Sequence, residues 1–366
     1  MLTRRNLIQS GAALAAASLI GTAHGRAAPR TLLILGGTGF IGPHLTREAL
    51  HRGWKVTHFN RGKHNGEVAP GVETLIGDRA GQLDALRGRQ WDAVIDDTGY
   101  IPKFVKQSAE LLAPATGYCL FISSISAYAS FATPNDENSA TAVLANPDEE
   151  IVTDDTYGPM KALCERHTLA AFGERACIVR PGYIVGPLDT TDRFTYWPVR
   201  MARGGEMLAP GTPRDPIQVI DVRDLAVWLM RLVAARTAGV FNAVSPVGAF
   251  TMGELIAACQ HATSRAGTRV TWVPEEYLLQ HWTAAQLDLP PWSPLRGDSA
   301  AASLTSSARA IKTGLRTRSL RHTVADTLAW FNTLPEERRA KLRPLIDAER
   351  EAETLKSWYA SGQRIG

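Results

Sequence analysis

The 366-residue sequence predicts an α/β fold, a doubly wound parallel sheet followed by a smaller C-terminal lobe, and three observations carry that expectation. Short apolar runs alternate with helical stretches from residue 31 to residue 181. A glycine-spaced turn, Gly36-Gly37-Thr38-Gly39-Phe40-Ile41-Gly42, joins the first run to the first helix. Beyond Pro181 the rhythm breaks into a stretch rich in Gly, Pro, Arg and aromatic residues. Strands that are apolar on both faces and separated by helices belong to a parallel sheet covered on both sides.

The strands are expected at Thr31–Leu35, Lys55–Phe59, Val72–Ile76, Asp92–Ile95, Tyr118–Ser123 and Ala176–Val179. Helices are expected at Ile41–His51, Gln82–Leu86, Val105–Leu112 and Lys161–Phe172. Residues 183–219 read as loops and short elements over a cleft. Asp221–Ala235 is an amphipathic helix, with Leu225, Trp228, Leu229 and Leu232 on one side. Val240–Val244 reads as a further strand, and Thr251-Met252-Gly253-Glu254 as a capping box that opens a helix reaching about Ala258. Residues 286–303, with three prolines, read as loop, and 335–358 as a charged helical tail, solvated or packing. The units are therefore a leader at 1–28, a nucleotide-binding domain at 29–182 with elements returning after 217, a lobe at 183–334 and a tail at 335–366.

Composition limits the function. The fractions, 45% hydrophobic and 21% charged, are those of a soluble globular protein. Arg4, Arg5 and Arg26 contribute three of the four net positive charges, so the rest of the chain is close to neutral. A nearly neutral chain gives no electrostatic reason to expect a nucleic-acid or anionic-membrane partner. Cys119, Cys164, Cys177 and Cys259 fall in apolar strand-like or helical runs and none is paired at CxxC spacing, so neither a disulfide framework nor a metal site is expected.

The first 28 residues form a three-part leader. Arg4-Arg5 precedes an apolar run at Gly11–Ile20 and the small residues Ala27-Ala28, which predicts twin-arginine export to the periplasm, against the alternative of a cytoplasmic protein. That run is too short to span a bilayer. Twin-arginine transport moves folded chains, so a bound dinucleotide could travel with it.

The glycine turn is informative because of its setting. A GxxGxxG spacing directly after a strand and opening a helix allows a tight turn, close backbone approach to a pyrophosphate and a phosphate at the positive helix end. After the second strand the sequence has Phe59-Asn60-Arg61-Gly62-Lys63, with no acid to receive an adenosine ribose. Arg61 can pair bidentately with a 2′-phosphate, and the expected cofactor is NADP or NAD, with NADP favoured. Asp78 is placed to meet the adenine edge or to cap the next helix.

Tyr157 and Lys161 stand four apart, on one helical face, downstream of Ser123-Ser124 at the end of the fifth strand. A phenol titrates near pH 10, and a neighbouring cation would bring it toward the range useful for proton transfer. Pro159 is tolerated in a first helical turn, which predicts Tyr157 at the helix entrance.

With these pieces in chain order, the sequence resembles the extended short-chain dehydrogenase/reductases, and within them the NAD-dependent epimerase/dehydratase family, from about residue 31 to 331. The matching segments are Leu35–Gly42, Phe121–Tyr128, Tyr157 with Lys161, Arg180–Pro187, Gln218–Ala226 and the piece Ala308–Leu315 leading to Trp330. The resemblance implies a Rossmann fold that binds its cofactor through Gly36, Gly37, Thr38, Gly39, Phe40, Ile41, Gly42, Asn60, Arg61 and Asp78. It implies Tyr157 as general acid/base and Lys161 as ribose ligand and tuner of Tyr157. Ser124 is the carbonyl-orienting hydroxyl, with Ser123 as fallback, and residues from Pro181 on contact the nicotinamide end.

There are departures. Ile95-Asp96-Asp97-Thr98-Gly99-Tyr100 lacks the His-x-Ala-Ala of sugar-nucleotide members, so a sugar-nucleotide substrate does not follow by analogy. Ile125 and Ser126 stand where dehydratases carry acids, which counts against dehydration. Phe194, Tyr196 and Trp197 are either a substrate wall or lobe core, and Arg193, Arg200 and Arg214 are either clamps for a phosphate or carboxylate or ordinary surface cations. The expected function is hydride transfer at a carbinol or carbonyl carbon of a small substrate, sugar-like or other, by an epimerase or a reductase/dehydrogenase. The alternative is a non-catalytic dinucleotide-sensing or RNA-binding relative of the same fold. The assembly stays open, with a homodimer among the options.

Overall fold

The computed structural model describes residues 30–63, 68–263 and 267–362. The candidate leader at 1–28 lies outside the described residues. Seven strands form one all-parallel sheet: β1 (Thr31–Leu35), β2 (Lys55–Asn60), β3 (Glu73–Ile76), β4 (Ala93–Asp96), β5 (Cys119–Ile122), β6 (Ala176–Pro181) and, last in sequence, Gly239–Ala243. Their spatial order puts β3, β2 and β1 on one side and β4, β5, β6 and Gly239–Ala243 on the other. The order therefore reverses between β1 and β4, and there the crevice at the C-terminal strand ends opens.

Helices α1 (Gly42–His51), α2 (Pro102–Leu112) and α3 (Asp154–Phe172) follow β1, β4 and β5. Strand alternation then sorts the core into two layers. Leu32 and Ile34 join Leu45, Val56 and Ile95 on one face, while Leu33 and Leu35 join Phe59, Val94 and Leu112 on the other. Each of these side chains is nearly inaccessible, and burying one contributes about 1.5–3 kcal/mol.

Past β6 come β7 (Tyr183–Val185), α4 (Tyr196–Ala202), β8 (Glu206–Pro210), β9 (Val219–Asp221) and α5 (Val222–Ala235). Strand β10 is Gly239–Ala243, the outer strand of the sheet, and α6 (Met252–Ala262) and β11 (Arg269–Val273) follow. Strands β7 and β9 pair in parallel, as do β8 and β11. The capping box at the start of α6 is closed in both directions, Glu254 N–H to Thr251 Oγ1 at 3.2 Å and Thr251 N–H to Glu254 Oε2 at 2.8 Å. The stretch 286–303 is mostly irregular, with short 3₁₀ turns at Ala284–Leu287 and Gly297–Ser299.

Two expectations need correction. Helix α3 begins at Asp154, seven residues before the expected start, under a Thr153–Thr156 capping box. Pro159 therefore lies inside the helix, with Tyr157 past its first three positions rather than at its entrance. Its missing N–H leaves the carbonyl four residues back without a helical partner. The second correction concerns 335–358, which is two helices, Glu336–Ala340 and Ala348–Ala360, separated by an irregular turn. Ile346, Leu355 and Trp358 enter the same apolar cluster as Phe194, Tyr196 and Trp197. Glu351 is buried there, accepting from Arg200 Nε at 2.8 Å and from Leu208 N–H at 2.9 Å. The tail is thus a packing element. No helix among the described residues is long and apolar enough to cross a membrane.

Candidate active site

The glycine turn takes its shape from three constraints. Gly36 and Gly37 have φ of 108° and 83°, a region that side-chain-bearing residues rarely adopt. Gly42 is held by space, since a Cβ there would stand 2.3 Å from the Gly37 carbonyl carbon. Gly39 differs, because a Cβ on it would meet nothing within 4 Å and would project into the open crevice. No side chain caps the N-terminus of α1, where Pro43 lacks an N–H and the N–H groups of His44 and Leu45 turn back to Ile41 O at 3.1 Å. Asn60 buttresses the turn, donating to Gly36 O at 3.3 Å and accepting from Gly62 N–H at 2.8 Å.

Two cavities meet over this turn. One, of about 500 Å³, is lined by Gly36, Thr38, Gly39, Asn60, Arg61 and Asp78, among others. The second, of about 970 Å³, runs from Gly39, Phe40 and Ile41 past Ser124 and Tyr157 to Pro181. They share Gly39, Thr98 and Tyr100, so together they form one continuous crevice. Gly37 instead lines a small cavity behind the turn, and neither Gly42 nor Lys161 lines either of the two larger ones.

Asp78 lines the first cavity, with its carboxylate accepting from Ala80 N–H at 3.0 Å. The residue after it, Arg79, was not legible as a site residue. Its guanidinium grips Asp96 with contacts of 2.5 and 2.7 Å and Ser108 Oγ at 2.7 Å, while Arg79 itself lines the cavity. Asp96 is thereby held in an ion pair at the end of β4. Asp97, next to it, lines the second cavity, and burial together with the charge of Asp96 pushes its carboxyl up to about 8. The acid pair Asp96-Asp97 at the end of β4 was the available signal for both.

The two serines separate cleanly. Ser123 Oγ donates to Glu165 Oε1 at 2.5 Å, and Glu165 is clasped by Arg180 at 2.8 and 2.6 Å. Among the described residues, Ser124 Oγ bonds Ser126 N and Oγ, each at 3.1 Å, and the phenol beside it. Gly158 lets α3 press onto this turn, since a Cβ there would stand 2.1 Å from Ser126 O. That approach sets the Tyr157 phenol beside Ser124. Burial raises the phenol above its usual range, and the Ser124 hydroxyl and the Arg193 charge act against the rise.

Lys161 is placed differently from what the resemblance implies. Its ammonium lies beneath the crevice floor, donating to Gly99 O at 2.7 Å and Ile122 O at 2.6 Å, and burial lowers it to about 8. Phe194, Tyr196 and Trp197 are lobe core rather than a substrate wall. Arg200 is committed to Glu351 and to the carbonyls of Gly204 and Glu206, and Arg214 lines neither cavity, which leaves Arg193 on the crevice wall. All four cysteines are buried thiols without disulfide partners.

A parallel sheet whose strand order reverses at a glycine turn defines a Rossmann-type nucleotide-binding fold. The model of the NAD dependent epimerase/dehydratase family matches residues 32–112, the segment from β1 to the end of α2. No curated protein matches the sequence. The fold is that of solved epimerase structures. WbmH of Bordetella bronchiseptica, in complex with NAD+, aligns with a TM-score of 0.62 at 18% identity, covering 83% of this chain and 98% of that one. UDP-glucuronic acid 4-epimerase of Bacillus cereus, in complex with NAD, gives 0.59 at 14% identity over 82% and 98%. The human epimerase family protein SDR39U1, with NADPH, gives 0.52 at 19% identity over 82% and 99%.

Proposed function

We propose that this chain is an NAD(P)-dependent epimerase or reductase/dehydrogenase of the extended short-chain dehydrogenase type, acting at a carbinol or carbonyl carbon of a small substrate. The observation that carries the reading is one crevice that begins at an open glycine turn and ends at the adjacent Ser124 and Tyr157. The residues present fit a dinucleotide: Gly39 leaves open the space a Cβ would fill, and no side chain caps the N-terminus of α1 beside it. Arg61 and Asn60 stand at the cavity end suited to an adenosine ribose, and Arg61 favours NADP over NAD. When bound, the nicotinamide ring supplies a hydride acceptor or donor.

The chain's own residues supply the proton chemistry. Tyr157 takes the hydroxyl proton of an alcohol substrate as the carbonyl forms, and returns it in the reverse direction. Ser124 donates to the same oxygen and fixes its distance from the phenol. Arg193 favours the phenolate electrostatically. Lys161 spends two of its three N–H donors on the carbonyls of Gly99 and Ile122 and so ties the loop after β4 to the end of β5 beneath the crevice.

The test is to purify the protein from its native host, denature it and identify the released nucleotide with its redox state. Retained oxidised nucleotide points to an epimerase, freely exchanging nucleotide to a net dehydrogenase. Tyr157→Phe is expected to keep nucleotide affinity and lose turnover, and turnover that survives the change rejects the assignment. We further propose twin-arginine export from Arg4 and Arg5, which fails if cell fractionation leaves the uncleaved chain in the cytoplasm.

A further inference from the structure

We propose that Arg193 is a substrate-recognition residue and that the substrate carries an anionic oxygen group, a carboxylate or a phosphate, close to the reacting carbon. This rests on the hydride-transfer reading above and names the substrate class that reading leaves open.

Arg193 is the one Lys or Arg among the residues lining the larger cavity. It lies near enough to Tyr157 for its charge to act on the phenol. Among the described residues no carboxylate is paired with its guanidinium, whose one side-chain hydrogen bond runs from Nε to Thr191 Oγ1 at 3.3 Å. The neighbouring acid, Asp189, accepts through Oδ1 from Thr191 N–H at 2.8 Å and Thr191 Oγ1 at 2.7 Å and feels the Arg193 charge without pairing with it. The face of Tyr183 lies 5.5 Å from the guanidinium carbon and supports it by cation–π contact. The planar fork therefore keeps free donors facing the crevice, the arrangement that suits bidentate binding of an oxyanion.

The position of Arg193 is also built. Asp192, one residue earlier, has φ of 63° and is 1% exposed. Arg338 donates to both of its carboxylate oxygens at 3.1 and 2.6 Å, and Arg343 N–H adds a bond of 3.1 Å. An aspartate in the left-handed region persists when its surroundings hold it. Here the C-terminal segment does so, fixing the backbone from which Arg193 projects. The acids at the cavity mouth, Asp154 and Asp155, are exposed in the first turn of α3, where they complement the helix end rather than Arg193.

The test uses three pyranose-sized probes that differ in charge: D-glucuronate, glucose 6-phosphate and glucose. Each is titrated by calorimetry into the full chain saturated with NADPH, and into Arg193→Met. At least one anion is expected to bind about tenfold more tightly than glucose, and Arg193→Met to bring the two within about twofold. The thermal midpoint and NADPH affinity of the variant should match the parent, since Arg193 is exposed. Tighter glucuronate assigns a carboxylate, and tighter glucose 6-phosphate a phosphate. No advantage for either anion, or an advantage that survives Arg193→Met, overturns the inference. A chain that takes up no nucleotide fails the hydride-transfer reading at the loading step, and the anion comparison is then made on the unloaded chain by the same criterion.

Discussion

Ser123 donates its hydroxyl to Glu165 Oε1 at 2.5 Å, and that bond determines which of two adjacent serines keeps a hydroxyl available to the crevice. Ser123 is held by a buried carboxylate that also takes two bonds from Arg180, whereas Ser124 meets the neutral groups of Ser126 and Tyr157. Ser124→Ala is therefore expected to lower turnover on the order of 100-fold with nucleotide affinity unchanged, as loss of a positioned donor does. Ser123→Ala should leave turnover nearly intact and cost about 1.5–3 kcal/mol of stability, the range for a hydrogen bond to a charged group. Steady-state rates and denaturant unfolding of the two variants read these effects separately, and equal losses of turnover reject the division of roles.

Glu165 and Arg180 form a buried pair, with side chains 4% and 5% exposed. Removing one partner strands the other charge away from water, so Glu165→Gln should destabilise the chain by about 3–5 kcal/mol. Urea midpoints at neutral pH check this, and a loss below about 1 kcal/mol, the size seen for surface pairs, contradicts it.

Much of the architecture could be read from the sequence because strands such as Leu32–Leu35 are apolar on both faces and punctuated by Gly or capping residues. The glycine turn was legible because its spacing falls directly after an apolar strand and opens a helix, the setting in which a tight turn and close approach are needed. Contacts made at long sequence separation were not legible. The ammonium of Lys161 is drawn beneath the crevice by the carbonyls of Gly99 and Ile122, 62 and 39 residues away, which helical spacing from Tyr157 does not reveal. Arg338 reaches Asp192 across 146 residues, so the charged tail gave no sign that it shapes the crevice wall. The aromatic run Phe194–Trp197 left core and ligand wall undecided, because both need large apolar side chains.

Two glycines of the turn should respond in opposite ways. Gly42→Ala drives a methyl into the Gly37 backbone, a group that cannot swing aside, so both thermal midpoint and nucleotide affinity should fall. Gly39→Ala meets open space and should leave the thermal midpoint unchanged while weakening nucleotide binding. Differential scanning calorimetry paired with nucleotide titration distinguishes them. Unchanged affinity in Gly39→Ala means that the turn is not a phosphate cradle.

His58 gives a signature in acid. Burial lowers its pKa from 6.5 to about 4, its Nε2 bonds Thr46 at 2.8 Å and its Nδ1 has no hydrogen-bond partner among the described residues. The unfolded chain then binds a proton between pH 6.5 and 4 that the folded chain refuses, so stability falls as the pH is lowered through that window. The full penalty is about 3 kcal/mol, from 1.36 kcal/mol per pKa unit. Unfolding free energies at pH 7 and pH 4 in the parent and in His58→Gln should show a smaller acid loss in the variant, and equal losses reject the assignment.

The most direct test of the dinucleotide crevice is a fluorescence titration of the full chain with NADPH and with NADH. Saturable binding at one site per chain is expected, with NADPH about tenfold tighter, from the 2′-phosphate pairing with Arg61. Arg61→Ala should remove that advantage and leave NADH affinity unchanged. Saturable binding of neither nucleotide would contradict the proposed function at its foundation.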